Sequence, residues 1–233
     1  MKIICTICMR ANSQKIKNKN LINLNNKPLM SYTIKSAVNS KLFDNIVASS
    51  DSEKIQKLSK KFGAEVLFTR PKKFSTNYVP KLSAIKHAVM MSEKHYKKRY
   101  DYVFDLDVTA PCRDANDIKK AFKIFQKSKK NMLVSVTKSR KNPYFNMLEI
   151  KNRGISLVKK TSKEISARQK SPVVYDMNAS IYIWKRDKLF KSRNLLQKSL
   201  SIYEMPPEKS IDIDTKLDLR INEMLIKKIK QFN

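Results

Sequence analysis

Short apolar runs alternate with amphipathic stretches from the first residues of the chain, and this alternation constrains the fold more than any other feature. A buried run followed by a segment of period 3.6 is the sequence form of a strand–helix–strand unit, whose strands lie parallel in one sheet. Strands are expected near 2–8, 45–49, 64–68, 101–107, 131–137 and 178–184, and helices over about 28–39, 52–62, 80–96 and 114–128. Pro28 suits a first helical turn, Asp114 a cap, and Gly63 a helix end. Ser50 and Glu53 have capping-box spacing. A last strand near 210–214 leads into an amphipathic helix with Leu217, Ile221, Leu225 and Ile229 at steps of four. Between 138 and 176 the helical period disappears. The expectation is one α/β domain over 1–233, a mostly parallel sheet with helices on both faces, and an inserted extended arm at 138–176.

Composition removes several function classes. The 233 residues include two glycines, Gly63 and Gly154, where average usage near 7 % would give roughly 16. Neither a G-x-G-x-x-G nor a Walker-type loop can be written from this chain. The 50 Lys+Arg against 20 Asp+Glu give a formal charge of +30. Ten of the cations are Arg, and the lysines are spread along the whole length. A nucleic-acid binder concentrates cations on one face and favours Arg for base edges. Scattered Lys with many Asn and Ile reads as coding bias, although the field still speeds the arrival of anions. No run reaches 18 apolar residues, and MKIICTICMR lacks a small-residue cleavage site, so it reads as a buried strand and the protein as soluble and cytoplasmic. Cys5, Cys8 and Cys112 fit a reducing compartment. In a strand Cys5 and Cys8 face opposite sides, so a shared zinc is not expected, and no second Cys/His pair completes four ligands, His87 and His95 being the only histidines.

Ligands of open α/β sheets sit beyond the carboxyl ends of the strands. Four loops there carry candidate chemistry. Residues 9–21 place Arg10, Lys15, Lys17 and Lys19 among Asn12, Ser13, Asn18 and Asn20, a donor chain suited to several phosphates or, equally, a solvated Lys/Asn loop. Two D-x-D pairs follow, Asp105 with Asp107 and Asp212 with Asp214. Within a strand, residues i and i+2 share a face, so either pair could converge on magnesium, which takes one or two carboxylates plus phosphates. Either could instead be a strand end before a helix N-terminus. The fourth loop, 69–81, offers Arg70, Ser75, Asn77 and Lys81 to a base or sugar.

The ordered set is more specific than its parts. Arg10 to Leu21, SSDSEKI at 49–55, TRP at 69–71, LDVTAPCR at 106–113, NASIYIWKRD at 178–187 and SIDIDTKLDL at 210–219 together resemble the acylneuraminate cytidylyltransferase family, whose members make CMP-activated nonulosonic acids. The resemblance spans nearly the whole chain and implies a Rossmann-like nucleotidyltransferase sheet, CTP and a nine-carbon 2-keto sugar acid as substrates, and Mg²⁺ as cofactor. It implies that Arg10 and Lys19 hold the CTP phosphates, that Asn12, Ser13 and Asn20 line the nucleotide loop, and that Asp212 and Asp214 bind the metal. Arg70 falls on the base side, with Ser75 and Lys81 nearby, and Asp107, Arg168 and Asn178 fall on the sugar side, Arg168 meeting the carboxylate. The arm at 138–176 then reaches across a homodimer. Departures are Asn12 and Gln14 where many relatives have Gly and Lys, leaving Lys15 or Lys17 to substitute, Asp107 for a usual Gln, and Asn178, Ala179, Ser180 for N-G-A. Asn tolerates a left-handed backbone, which makes a glycine-poor loop feasible. LDVTAPCR, RKNPYFNM at 140–147 and VYDMNASIYIWKRD at 174–187 look most like the branch acting on legionaminic-acid-type sugars. Alternatives are pseudaminic, neuraminic or deoxyoctulosonic acid as acceptor, and a basic RNA-associated α/β protein without catalysis. Against the last, the aromatics fall in expected strands and helices and form no stacking platform.

Overall fold

The computed structural model describes residues 1–13, 15–151, 154–161 and 165–229; Gln14 therefore lies outside the described residues. Among the described residues ten strands and six α-helices follow one another: β1 (Ile3–Cys8), β2 (Asn23–Leu24), β3 (Lys27–Pro28), α1 (Leu29–Ser40), β4 (Asn45–Ser49), α2 (Glu53–Lys61), α3 (Lys81–Tyr96), β5 (Tyr102–Leu106), α4 (Ala115–Ser128), β6 (Met132–Lys138), β7 (Leu148–Lys151), β8 (Gly154–Leu157), β9 (Tyr175–Lys185), α5 (Arg186–Lys191), β10 (Leu200–Glu204) and α6 (Lys216–Ile226). Six strands form the central sheet in the order β10-β6-β9-β5-β1-β4. All neighbours are parallel except β9, which runs antiparallel to both β5 and β6.

Period two sorts the sheet's residues into two cores. Ile3, Cys5 and Ile7 of β1, Phe104 and Leu106 of β5, and Ile181 and Ile183 of β9 pack on one face with α1 and α4. Ile4, Val103, Tyr182 and Trp184 point the other way, onto Leu82, Ile85 and Val89 of α3 and Leu189 of α5. Both faces are covered, as a largely parallel sheet requires. Cys5 packs in the first core and Cys8 against the second, and all three cysteines are free. Burial raises the Cys5 and Cys8 thiols and pushes Cys112 up to about 12.

Glycine scarcity shows in the backbone. Lys41, Lys97 and Lys129 end α1, α3 and α4 in the left-handed conformation that glycine usually supplies. Asn18, Asn25 and Asn26 also have positive φ, whereas Asn12 is not among the left-handed residues. The left-handed turn of the first loop thus falls at Asn18. Ala179, with φ 45°, sits where the β6–β9 register shifts.

Four expectations about local structure are corrected. Residues 64–68 form no strand; Val47 and Glu65 make a single bridge. Residues 210–214 are loop, and the sheet's edge strand is β10, in which only Tyr203 is buried, too weak a pattern to read. Ser52, not Ser50, caps α2, its Oγ accepting from the Ile55 N–H at 3.5 Å, while Ser50 Oγ accepts from the Ser52 N–H. Along α6, Leu217 is 65 % exposed, whereas Leu225 and Ile229 pack against the core beside the buried Asn222 and Ile226. Asp114 caps α4 in a full capping box with Asp117. Among the described residues no helix is long and apolar enough to cross a membrane.

Candidate active site

The chain runs from β1 to β4 on one side and then returns to β5 on the other. The carboxyl ends of β1 and β5 therefore flank the point where strand order reverses, where such sheets bind ligands. A cleft of about 370 Å³ opens there. Cys8, Asp107 and Thr109 come from the strand ends, Arg10, Ser13, Lys19 and Asn20 from the loop after β1, and Arg70, Phe74, Thr76, Asn77, Val79, Lys81 and Ala84 from the segment leading into α3.

The loop after β1 is shaped by its own polar groups. Asn20 Nδ2 donates to the Arg10 carbonyl at 2.8 Å, tying the two ends together around the turn at Asn18. The Ala11 N–H donates to Asp51 Oδ1 at 2.8 Å, and Arg70 Nη2 donates to the Met9 carbonyl at 2.5 Å while lying 3.8 Å from Asp51. Asp51 and Arg70 thus fix the backbone that carries Arg10. The Arg10 guanidinium reaches over to the Thr76 carbonyl at 3.5 Å.

Lys19 joins this loop to the chain's other end. Its buried Nζ donates to the Ile213 carbonyl and to Asp214 Oδ1, both at 2.8 Å, and Lys15 Nζ takes Asp214 Oδ2 at 2.7 Å. These two lysines hold the Asp214 carboxyl below the usual range. Asp212 differs: burial pushes its carboxyl up, with the Thr109 hydroxyl hydrogen-bonded to it, and its Oδ1 is buried with no hydrogen-bond partner among the described residues. The Ile213 N–H donates to the Thr109 carbonyl, docking the 210–214 loop at the rim of the cleft. The D-x-D geometry of a strand does not apply to this pair, which a loop carries.

The other acidic pair is closed by a lysine. Lys81 Nζ lies 2.8 Å from Asp105 Oδ2, 2.5 Å from Asp107 Oδ2 and 4.3 Å above the Tyr182 ring. Asp105 is fully buried, and its Oδ1 accepts from the Thr6 hydroxyl at 2.8 Å. Burial alone would lower the Lys81 ammonium; Asp105 and Asp107 raise it well above the usual lysine value. Arg113, buried behind Asp107, donates to the Ser180 carbonyl, the Thr33 hydroxyl and the Asp107 carbonyl, and burial lowers it to about 10.

Of the residues expected from sequence, Arg10, Ser13, Lys19, Asn20, Arg70, Lys81 and Asp107 line the cleft. Six stand outside its lining: Asp212 and Asp214, of which Lys19 binds the second, and four others. Asn12 is exposed on the loop, and Ser75 bonds the Pro71 carbonyl. Asn178 is buried, accepting from Ser135 Oγ at 2.6 Å and donating to Ser210 Oγ at 3.0 Å. Arg168 is exposed on the arm, reaching the Ser139 carbonyl at 3.3 Å. Asp51, Phe74, Thr109 and Arg113 carried no assignment. SSDSEKI and LDVTAPCR contain three of them, but an Asp that accepts from a loop N–H has no signature apart from the fold that brings the two together.

Strand-end floor and cationic loop mark this cleft as the candidate site of an α/β fold. Residues 4–233 match the family model described as Cytidylyltransferase, and the chain belongs to that family, a family of nucleotidyltransferase enzymes. It is 40 % identical over 226 residues to the post-translational flagellin modification protein B of Campylobacter coli, covering 97 % of this chain and 95 % of that protein. It is likewise 40 % identical over 225 residues to the CMP-N,N'-diacetyllegionaminic acid synthase of Campylobacter jejuni subsp. jejuni serotype O:2, with the same coverage. The solved structure of CMP:2-keto-3-deoxy-manno-octonic acid synthetase complexed with CTP superposes with a TM-score of 0.69, covering 98 % of this chain and 99 % of that one at 13 % identity, a likeness of fold.

Proposed function

We propose that the enzyme transfers the cytidylyl group of CTP to the anomeric C2 hydroxyl of a nine-carbon, legionaminic-acid-like 2-keto acid, releasing pyrophosphate. The observation that carries this reading is Lys19, which lines the cleft and at the same time grips Asp214 and the Ile213 carbonyl. Phosphate-binding cations and candidate metal-binding acids thereby share one site. The choice of sugar rests on the 40 % identity to a protein named for the diacetyllegionaminic product.

Little covalent protein chemistry is needed for transfer at phosphorus; charge must be neutralised and attack aligned. Arg10 and Lys19 bind the phosphates, with Ser13 and Asn20 shaping the loop, Asn12 at its exposed edge and Lys15 free to turn from Asp214 to the triphosphate. Arg70, Ser75 and Lys81 serve the nucleoside side. Asp212 fits a divalent cation because its buried Oδ1 lacks a partner among the described residues, and Asp214 completes the one or two carboxylates that magnesium takes beside phosphates. Bound there, Mg²⁺ would neutralise triphosphate charge and polarise the α-phosphate. Asn178 supports this pair from behind, through Ser210.

The arm supports a homodimer. Leu148, Ile150 and Ile155 of the β7–β8 hairpin are 68 %, 86 % and 69 % exposed, and a lone hairpin is marginal in water without a cover. A second copy covering it would bring Arg168 to the sugar carboxylate. Light scattering on the eluting protein should give twice the chain mass.

The deciding experiment is pyrophosphate release with CTP and a panel of legionaminic, pseudaminic, neuraminic and deoxyoctulosonic acids, repeated with other nucleoside triphosphates. Release with CTP and a legionaminic-type acid is expected. Release with another acid of the panel reassigns the substrate, and salt-sensitive RNA binding indifferent to CTP would replace the enzyme reading. Arg10→Ala should lower turnover on the order of 10²–10³-fold, as for loss of one transition-state donor; activity within twofold of wild type removes Arg10 from this role.

A further inference from the structure

Transfer to a hydroxyl leaves a proton to be removed, and the cleft contains a group built to take it. Asp107 is the one carboxylate among the described residues that line the cleft. The neighbouring acids are otherwise engaged. Asp105 is sealed from solvent against Thr6 and Lys81, Asp51 accepts from the loop backbone, and Asp212 and Asp214 belong to the proposed metal site.

The placement of Asp107 is over-determined. Its N–H donates to the Ser180 carbonyl at 3.2 Å, and its own carbonyl accepts from the Thr33 hydroxyl at 3.0 Å and from Arg113 at 3.2 Å. Lys81 takes one carboxylate oxygen, yet the side chain stays 23 % exposed to the cleft. Two residues on, Thr109 docks the 210–214 loop, and Ser210 and Ile211 of that loop line a second cavity of about 670 Å³ beside Lys138 and Arg140 at the root of the arm. Asp107 thus lines the nucleotide cleft two residues from the contact to the loop that borders the arm-side cavity. With the metal assigned to Asp212 and Asp214, a carboxylate closed on Lys81 only repels the phosphates, but as an acceptor-only group it suits an incoming hydroxyl.

We propose that Asp107 is the catalytic residue that accepts the proton of the acceptor hydroxyl, and that Lys81, bridged to Asp105, is the positioning residue that aims it. The proposal rests on the cytidylyl-transfer reading above. As the hydroxyl oxygen bonds to the α-phosphorus, its O–H bond breaks and the proton passes to the Asp107 carboxylate. The bond from the α-phosphorus to the bridging oxygen breaks with its electron pair, which leaves on pyrophosphate. Asp107 then returns the proton to water.

The test compares wild type, Asp107→Ala, Lys81→Arg and Arg10→Ala with CTP and the acid that wild type uses, following kcat, CTP affinity by calorimetry, and the response to added formate. For Asp107→Ala, kcat should fall on the order of 10²–10³-fold, with CTP affinity within threefold and part of kcat restored by formate. Lys81→Arg keeps the charge but moves it; kcat should fall about tenfold with no response to formate, as expected of a positioning role. Arg10→Ala should not respond to formate. An Asp107→Ala enzyme within threefold of wild-type kcat, or one that loses CTP affinity tenfold and ignores formate, overturns the proposal and makes Asp107 a nucleoside contact or a structural group. Wild type that turns over no acid of the panel overturns the transfer reading itself, and this proposal with it.

Discussion

The chain uses the same three-residue acidic spacing twice, and the two copies live in opposite environments. Asp105 and Asp107 sit at the end of a central strand around Lys81, Asp105 buried and the other two half-buried at the cleft. Asp212 and Asp214 ride a loop, where Asp214 is paired to lysines of the loop after β1 and Asp212 keeps one oxygen without a partner among the described residues. Identical spacing thus yields a closed ion cluster in one place and, in the other, an open pair in which one oxygen of Asp212 lacks a partner among the described residues. What separates them is the cation: one comes from the first turn of a packed helix, the others from the loop after β1.

The largest expected effect is on the closed cluster. Lys81→Met leaves two carboxylates without their counter-ion and should cost about 3–5 kcal/mol in urea unfolding, the range for breaking a buried pair. Lys15→Met removes a solvent-exposed partner of Asp214, and its urea midpoint should stay with wild type. Equal losses from the two would erase the distinction.

Lys19→Met opens the second pair and should lower kcat/KM for CTP about 10²-fold, the lower end for loss of a cationic donor. A loss confined to stability would make Lys19 a mere staple for the 210–214 loop.

The two acids of the open pair also differ in sign with pH. Asp214 is held low by its lysines, so its contribution is present at neutral pH and lost as the solution is acidified through its folded value. Asp212 is held high by burial, so its carboxylate opposes folding as pH rises past its folded value and not when protonated. Asp212→Asn should therefore raise the urea midpoint at pH 7 and leave it unchanged at strongly acid pH; a fall at pH 7 would reverse the assignment.

The smallest effect concerns the bulge that supports this loop through Asn178 and Ser210. Ala179 holds a left-handed φ, so Ala179→Gly should add about 1 kcal/mol, measured as an upward shift in urea midpoint. No change would show that the bulge is unstrained.

Much of this was legible in the sequence because local pattern carries it. Ile3, Cys5 and Ile7 alternate with Ile4, the helices follow their periods, and Asp114 caps α4 with Asp117 in reach. Ordered motifs placed Arg10, Lys19, Arg70, Lys81 and Asp107 around one cleft. The misses are tertiary. The 210–214 segment alternates like a strand, but its partners are Thr109, Lys19 and Asn222, three separate parts of the chain. Residues 200–204 make an edge strand with one buried side chain. That Lys81 would close one acidic pair and leave the other open depends on packing α3 under the ends of β5 and β9, which spacing alone does not encode.

The most direct measurement is a crystal structure with CTP and Mn²⁺, located by its anomalous signal. The metal is expected at Asp212 and Asp214, with the triphosphate along Arg10 and Lys19 and the Lys81 cluster intact. Manganese between Asp105 and Asp107 with Lys81 displaced, or a triphosphate outside the cleft, would contradict the account.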